Sequence, residues 1–339
     1  MARITNKDIA RLAGVSPAAV SIAVNGRPGI SQETRERILK IARQNHYCPG
    51  IASLQILQNR SRFIAALFRT DAQLEDQIFY SEMGSHAMVA CCERGCTLVS
   101  TYITDSSGTI TLPQAILNRS VDGILVFGDQ EPGIYTELSH TGIPFVVLDS
   151  SRPGSGYPSV LVDYHNAAYQ ATRHLIELGH RDIAYLSNGV LHDFNMQTLA
   201  GFQQAASEAG IALYPNRFQI DVEDEASLQR CIDRAMVGPV LPTAFFCTVD
   251  VYAINAMRYL HTRGFRVPQD ISVVGIDDVA MSRYVIPSLT TLRVDRKHMI
   301  QLGLDMLEQL AAGTACGNQT LPAPLLICRE SAAAPRSRQ

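Results

Sequence analysis

The chain of 339 residues is defined first by what it lacks. No apolar run reaches the ~18 residues of a membrane-spanning helix, and the polar N-terminus lacks the pattern of a secretory signal, so a cytoplasmic protein without a membrane partner is expected. Its eight cysteines (48, 91, 92, 96, 231, 247, 316 and 328) contain no C-x-x-C pair. Cys91, Cys92 and Cys96 cluster, but neighbours on a helix point about 100° apart. They read as packed thiols in a reducing compartment rather than a metal site or redox switch. The catalytic spellings GxxxxGK(S/T), GxSxG, HExxH and GxGxxG are missing, and the nine histidines show no ligand spacing on one helix face. No enzyme activity, metal or cofactor is therefore expected.

What is present starts at residues 4–25, ITNKDIARLAGVSPAAVSIAVN. Thr5 is placed to cap a first helix, with Asp8 as its capping-box partner. Ile9, Ala10, Leu12 and Ala13 supply an apolar face, and Gly14 turns the corner. Ser16 caps a second helix and Pro17 takes its first position, where no backbone donor is lost. Val20 and Val24 lie four apart and pack back onto the first helix. This is a helix-turn-helix, whose second helix can enter a DNA major groove. A third helix follows over 32–47, capped by Ser31, with Ile38, Leu39, Ile41 and Ala42 as its stripe.

Charge separates this head from the rest. Residues 1–62 carry ten Lys/Arg and three acids, a net +7, and the remainder carries 19 basic and 29 acidic residues, a net −10. A basic head suits phosphate, and an acidic body keeps DNA from binding elsewhere.

From Phe63 the pattern changes. Apolar runs at 63–68, 97–103, 123–127, 144–149, 183–187, 244–248 and 271–276 alternate with helix-like stretches such as 77–94, 165–179, 193–210 and 249–264. Continuous apolar strands separated by helices mean parallel sheets covered on both faces. So many units favour two doubly wound sheets, with a break near Ser159–Asp163.

The ordered segments KDIARLAGVSPAAVSIAVNGRPGISQETRERILKIARQNHYCP, VDGILVFG, IPFVVLD, LIELGHRDIAYL, LAGF, RVPQDISVVGIDDV and IPSLTTLRVD resemble the lactose-repressor (LacI/GalR) family of bacterial transcription regulators over nearly the whole chain. The resemblance implies an all-α helix-turn-helix head over residues 1–48 and a hinge helix with linker over 49–62. A two-lobed, periplasmic-binding-protein-like α/β body then follows over 63–330. Lobe one would comprise about 63–160 and 291–320, and lobe two about 161–290 and 321–330. Residues 331–339 would form a disordered tail. The expected partners are a pseudo-palindromic double-stranded operator, a second copy of the chain and a small-molecule effector, a sugar or related metabolite.

Base readout falls to the front of the second helix, at Pro17, Ala18 and Ile22. All three are apolar and press on thymine methyls rather than form bidentate hydrogen bonds. The resemblance assigns phosphate contacts to Thr5, Ser16, Ser21, Asn25, Thr34 and Tyr47. It assigns the minor-groove wedge of the hinge to Ile56, although Leu54 stands where relatives carry arginine. Effector candidates are the acids at or just after strand ends, Asp129, Asp149, Asp250 and Asp277, where open α/β sheets bind ligands. Helix capping is the alternative for Asp250 and Asp277. Phe79 and Tyr80 match an aromatic region that stacks on ligands in relatives, with core packing as the alternative. Thr198 and Val249 occupy positions where relatives carry arginine and asparagine, so either the grip on the effector differs or the cleft has lost its ligand. A transport receptor would fit the body but not the basic head, and an enzyme would need a catalytic constellation.

Overall fold

The computed structural model describes residues 6–24, 27–45, 62–69, 74–106, 109–152, 154–189 and 193–336. Three helices make the head: α1 (Asn6–Ala13), α2 (Pro17–Val24) and α3 (Gln32–Gln44). Gly14 has φ +64°, the left-handed turn between α1 and α2; a Cβ would strain it. Ser16 Oγ accepts from the Ala19 N–H at 3.1 Å, and Ser31 Oγ accepts from the Thr34 N–H at 3.2 Å. Both caps satisfy donors that a helix start leaves unpaired. The core is Ile9, Ala10, Ala13, Val20, Ala23, Val24, Ile38 and Ala42. Leu12 is not part of it: it is 51% exposed, because α1 turns only one stripe towards its partners. Thr5 lies outside the described residues.

The body's strands are β1 (Arg62–Arg69), β2 (Cys96–Ser106), β3 (Thr109–Thr111), β4 (Gly123–Phe127), β5 (Phe145–Ser150), β6 (Ser159–Leu161), β7 (Ile183–Leu186), β8 (Phe218–Gln219), β9 (Ala244–Cys247), β10 (Ser272–Asp277), β11 (Thr290–Arg293), β12 (Gln319–Thr320) and β13 (Leu325–Ile327). The helices are α4 (Leu74–Glu93), α5 (Gln114–Leu117), α6 (Pro132–Thr141), α7 (Tyr164–Glu177), α8 (Asp193–Glu208), α9 (Glu225–Ala235), α10 (Asp250–Thr262) and α11 (Arg296–Ala311). Two sheets result, ordered β12-β6-β5-β4-β1-β2-β3 and β13-β11-β10-β9-β7-β8. Neighbours run parallel except β2 with β3 and β11 with β13.

The unbroken apolar runs follow from burial on both faces. In β1, Ile64 and Ala66 enter one core while Ala65 and Leu67 enter another. In β9, Ala244 and Phe246 face one way, Phe245 and Cys247 the other. α7 and α8 pack so closely that a Cβ on Gly201 would stand 2.1 Å from the His165 carbonyl oxygen. No described helix is long and apolar enough to cross a membrane.

The chain passes between the sheets after β6, after β11 and between β12 and β13. An aspartate opens the helix after each of the first two crossings. Asp163 accepts from the Asn166 N–H at 2.9 Å, and Asp295 accepts from the His298 N–H at 3.0 Å.

Two expectations are corrected. The return to lobe one does not begin near 290, because Thr290–Arg293 is a strand inside the second sheet; its threonines are buried and bonded there, and lobe one resumes with α11. Nor are residues 331–336 a loose tail. Ser331 is fully buried. Its carbonyl accepts from the Val273 N–H at 2.8 Å and its hydroxyl from the Thr290 N–H at 2.8 Å. His180, also buried, lies 2.9 Å from the Ala333 carbonyl oxygen. This short segment, through Ser331 above all, caps the starts of the interior strands β10 and β11, which composition alone does not reveal.

Candidate nucleic-acid interface and interlobe cleft

The head presents the front of α2. Pro17, Ala18 and Ser16 are exposed, and Ser21, Ile22 and Thr34 are half-buried. Ala18 and Ile22 are four apart and share a face. α2 carries no acid in its first turn and no base in its last; the exposed bases Lys7, Arg11, Arg27, Arg37 and Lys40 come from other parts of the head. Ile22 is held by the loop beyond α2, its Cδ1 lying 3.7 Å from where a Gly29 Cβ would stand. Arg35, on α3, donates to the Ala23 carbonyl at 3.1 Å and to the Ile22 and Arg27 carbonyls. It thereby satisfies the acceptors that the end of α2 leaves open. Thr34 Oγ1 accepts from Ser31 Oγ at 2.8 Å. Asn25, Tyr47 and Ile56, like Thr5, lie outside the described residues.

The second candidate site lies between the lobes, at the carboxyl ends of the strands. On the lobe-one wall, Asp149, the penultimate residue of β5, has φ +62°, and Tyr80 Oη donates to its Oδ2 at 3.0 Å. The buried Tyr164, at the start of α7, donates to the other oxygen. Asp129 serves its own lobe: its carboxylate accepts from Ser150 Oγ at 2.7 Å, from the Ser151 N–H at 2.9 Å and from Ser151 Oγ at 2.8 Å. These bonds brace the β4 and β5 ends. Phe79 is 6% exposed, and the Arg296 guanidinium lies over its ring, 5.3 Å from the centroid. Core packing, not ligand stacking, is its role.

On the lobe-two wall, Asp250 is fully buried at the start of α10. Its carboxylate accepts from the Val279 N–H at 3.1 Å, from Ser282 Oγ at 2.6 Å and from Thr291 Oγ1. The acid ties α10, β11 and the segment after β10 into one piece and is not available to a ligand. Thr198 is likewise buried, its hydroxyl 2.9 Å from Tyr185 Oη and 3.1 Å from the Asn195 carbonyl. It belongs to the interior of lobe two. Asp277 ends β10 with φ +120°. Burial, then the charges of Asp250 and Asp149, push its carboxyl well above the usual range, against the pull of Arg296. Its neighbour Asp278, also buried, behaves oppositely. Burial pushes it up, but Arg329 and Arg293 outweigh that and hold it below the ordinary value. The Arg293 Nε contact is 2.7 Å.

Besides the apolar cluster that both sheets share, the lobes meet through polar contacts that sequence reasoning did not find. Arg152, after β5, pairs with Asp193, the first residue of α8. Gln197 Nε2 donates to the Ser151 carbonyl at 2.7 Å. Glu82 on α4 accepts from the Ala280 N–H at 2.9 Å and pairs with Arg296 at 3.1 Å. Arg296 itself donates to the carbonyls of Asp277 at 2.6 Å and Asp278 at 2.8 Å. The one sequence signal was position: Tyr164 and Arg296 each follow a capping aspartate straight after a crossing.

Comparison with known proteins agrees with this architecture. Residues 5–50 match bacterial regulatory proteins of the lacI family, and residues 172–332 match a periplasmic binding protein-like domain. The HTH-type transcriptional repressor PurR of Erwinia tasmaniensis is 31% identical over 338 residues, covering 97% of each chain. The ribose operon repressor of Haemophilus influenzae is 29% identical, covering 96% of this chain and 98% of its own. A solved structure of the lac repressor dimer, bound to operator and the anti-inducer ONPF, superposes with a TM-score of 0.76 at 25% identity, covering 98% of this chain and 100% of that one. With a relative so similar over almost its full length, a head-and-two-lobe fold and relatives that are repressors rather than enzymes, the chain belongs to the LacI family and is a DNA-binding transcriptional repressor.

Proposed function

We propose that this repressor binds a pseudo-palindromic operator as a homodimer, one head per half-site, and that a small molecule between the lobes sets its operator affinity. The observation that carries this is the polar seam that joins the two lobes beside the apolar core they share: Arg152 with Asp193, Gln197 with Ser151, and Glu82 with Ala280. A ligand at that seam competes with or reinforces a handful of contacts and so shifts the lobe angle. The coupling asked of it is the usual ~1–3 kcal/mol between two sites. Tyr80, Asp149 and Asp277 are the effector contacts in this reading; Asp129, Thr198, Asp250 and Phe79 hold the walls in place. A sugar or related metabolite suits acids that accept hydrogen bonds, and the ribose operon repressor among the relatives is compatible with it.

On DNA, Pro17, Ala18 and Ile22 press on thymine methyls while Ser16, Ser21 and Thr34 meet phosphates, with Thr5, Asn25 and Tyr47 added from family position. Sequence preference then comes from methyl contacts, the Ile56 wedge and DNA deformability. Deleting residues 1–60 abolishes operator binding in a fluorescence-anisotropy titration and leaves ligand binding by the body; retained specific DNA binding refutes the assignment. An operator selection yields half-sites whose α2 contacts are T-rich, and guanine-specific positions under α2 contradict the methyl readout.

A further inference from the structure

Asp278, directly after β10, collects three guanidiniums. Its side chain is 1% exposed. Arg329 donates to its Oδ1, Arg293 Nε donates to its Oδ2 at 2.7 Å, and Arg283 Nη2 stands 3.7 Å from the same Oδ2. One carboxylate balances one cation. Arg329, whose side chain is 13% exposed and also holds the Leu289 carbonyl at 2.7 Å, supplies that cation. Arg293 and Arg283 are then in excess, and their side chains are 40% and 57% exposed.

Both keep donors in hand. Arg293 bonds through Nε alone, so its two terminal nitrogens have no hydrogen-bond partner among the described residues. Arg283, at 3.7 Å, is beyond hydrogen-bond reach of Asp278. The acids around the group are engaged elsewhere. Glu330 accepts from the Ser288 N–H at 2.9 Å and from its hydroxyl at 3.0 Å, and Glu82 pairs with Arg296. Burial pushes the Asp277 carboxyl up, towards its neutral form. β11, which ends in Arg293, lies on the opposite side of β10 from β9 and β7. The group shares no side chain with the effector contacts Tyr80, Asp149 and Asp277.

We propose that Arg283 and Arg293 form an anion site on the flank of lobe two, separate from the interlobe cleft, whose ligand is the phosphoryl group of a small molecule. Asp278 holds Arg293 by its Nε, so the terminal fork is oriented before anything binds. Arg283 and Arg293 converge on one oxygen and repel each other; an anion between them removes that cost. A phosphate monoester offers three oxygens and a charge of roughly −1.5 to −2, which suits two forks. A carboxylate offers two oxygens and suits one.

The test is calorimetric titration of the full chain with inorganic phosphate, glycerol 3-phosphate and acetate, at an ionic strength held constant with sodium chloride. Both phosphates saturate one site per chain, and acetate binds at least about tenfold more weakly. The tighter phosphate names the source, free ion or ester, and either supports the site; acetate as tight as both, or no saturable binding of either, overturns it. Arg283→Gln and Arg293→Gln each weaken phosphate binding roughly tenfold or more. Asp277→Ala, in the cleft, changes it under about twofold; the opposite pattern puts the phosphate in the cleft and overturns the site. Arg293→Lys keeps the charge and loses the fork, so it weakens binding about fivefold or more. An unchanged affinity means a bare positive field and refutes a built site. If Arg293→Gln does not fold by circular dichroism, Arg283→Gln decides alone, because the 3.7 Å pair it removes is too long to hold the fold.

Discussion

The head and the body use polar and apolar side chains in opposite ways. In the head, eight buried apolar residues form the core, and the candidate functional surface is what packing leaves outside, including the apolar Pro17 and Ala18. In the body, the candidate functional groups are acids at strand ends, and two of the four, Asp250 and Asp277, are buried. Of the four acids there, Asp250 is fully buried and bonded within lobe two, and Asp129 is braced by Ser150 and Ser151. Asp149 and Asp277 alone line the seam. In a small domain a residue's exposure tells its role; between two lobes, the partners that reach a side chain decide it.

The sharpest break in this contrast is Gly201→Ala. The new Cβ would meet a backbone oxygen, which cannot move aside as a side chain can, and the overpacking costs roughly 3 kcal/mol. Urea denaturation shows it as an early lobe-two transition, while the head, which shares no core with it, keeps its own melting. Next comes Asp250→Ala, which strands the donors of Val279, Ser282 and Thr291 and lowers body stability by about 2 kcal/mol. Asp277→Ala, in contrast, abolishes ligand binding and leaves the melting temperature within a few degrees. If the two variants behave alike, the division into wall and site is wrong.

In the head, Arg35→Ala removes the side chain that closes α2 and costs about 1 kcal/mol. It weakens binding to all operator sequences alike, because the helix frays rather than losing a base contact; a changed base preference in a selection would contradict this. The smallest effect is on pH. Burial lowers His180 from an ordinary 6.5 to about 4, so between those values the unfolded chain binds a proton that the folded one refuses. Its share of stability is whole above pH 6.5 and is lost as pH falls toward 4. His180→Gln flattens that part of the acid limb, measured as urea midpoints at pH 7.5, 5.5 and 4.5; an unchanged slope would mean that the docked C-terminal segment does not depend on a neutral imidazole.

The alternation of apolar runs with helical stretches determined a two-sheet α/β body, because strands buried on both faces have no polar face to show. Ser16, Pro17 and Ser31 marked helix starts in the head for a local reason: a cap bonds its own backbone three residues on. The charge split between head and body was equally plain, since counting needs no coordinates. Only the tertiary structure decided which acids face the seam, that Thr290–Arg293 is a strand of the second sheet, and that Ser331 caps the starts of β10 and β11 rather than trailing free. It also decided that Thr198 pairs with Tyr185 and that Arg296 reaches across to lobe two. In each of these cases the partner is distant in sequence, and a side chain's protonation, burial and role are set by the groups that arrive beside it.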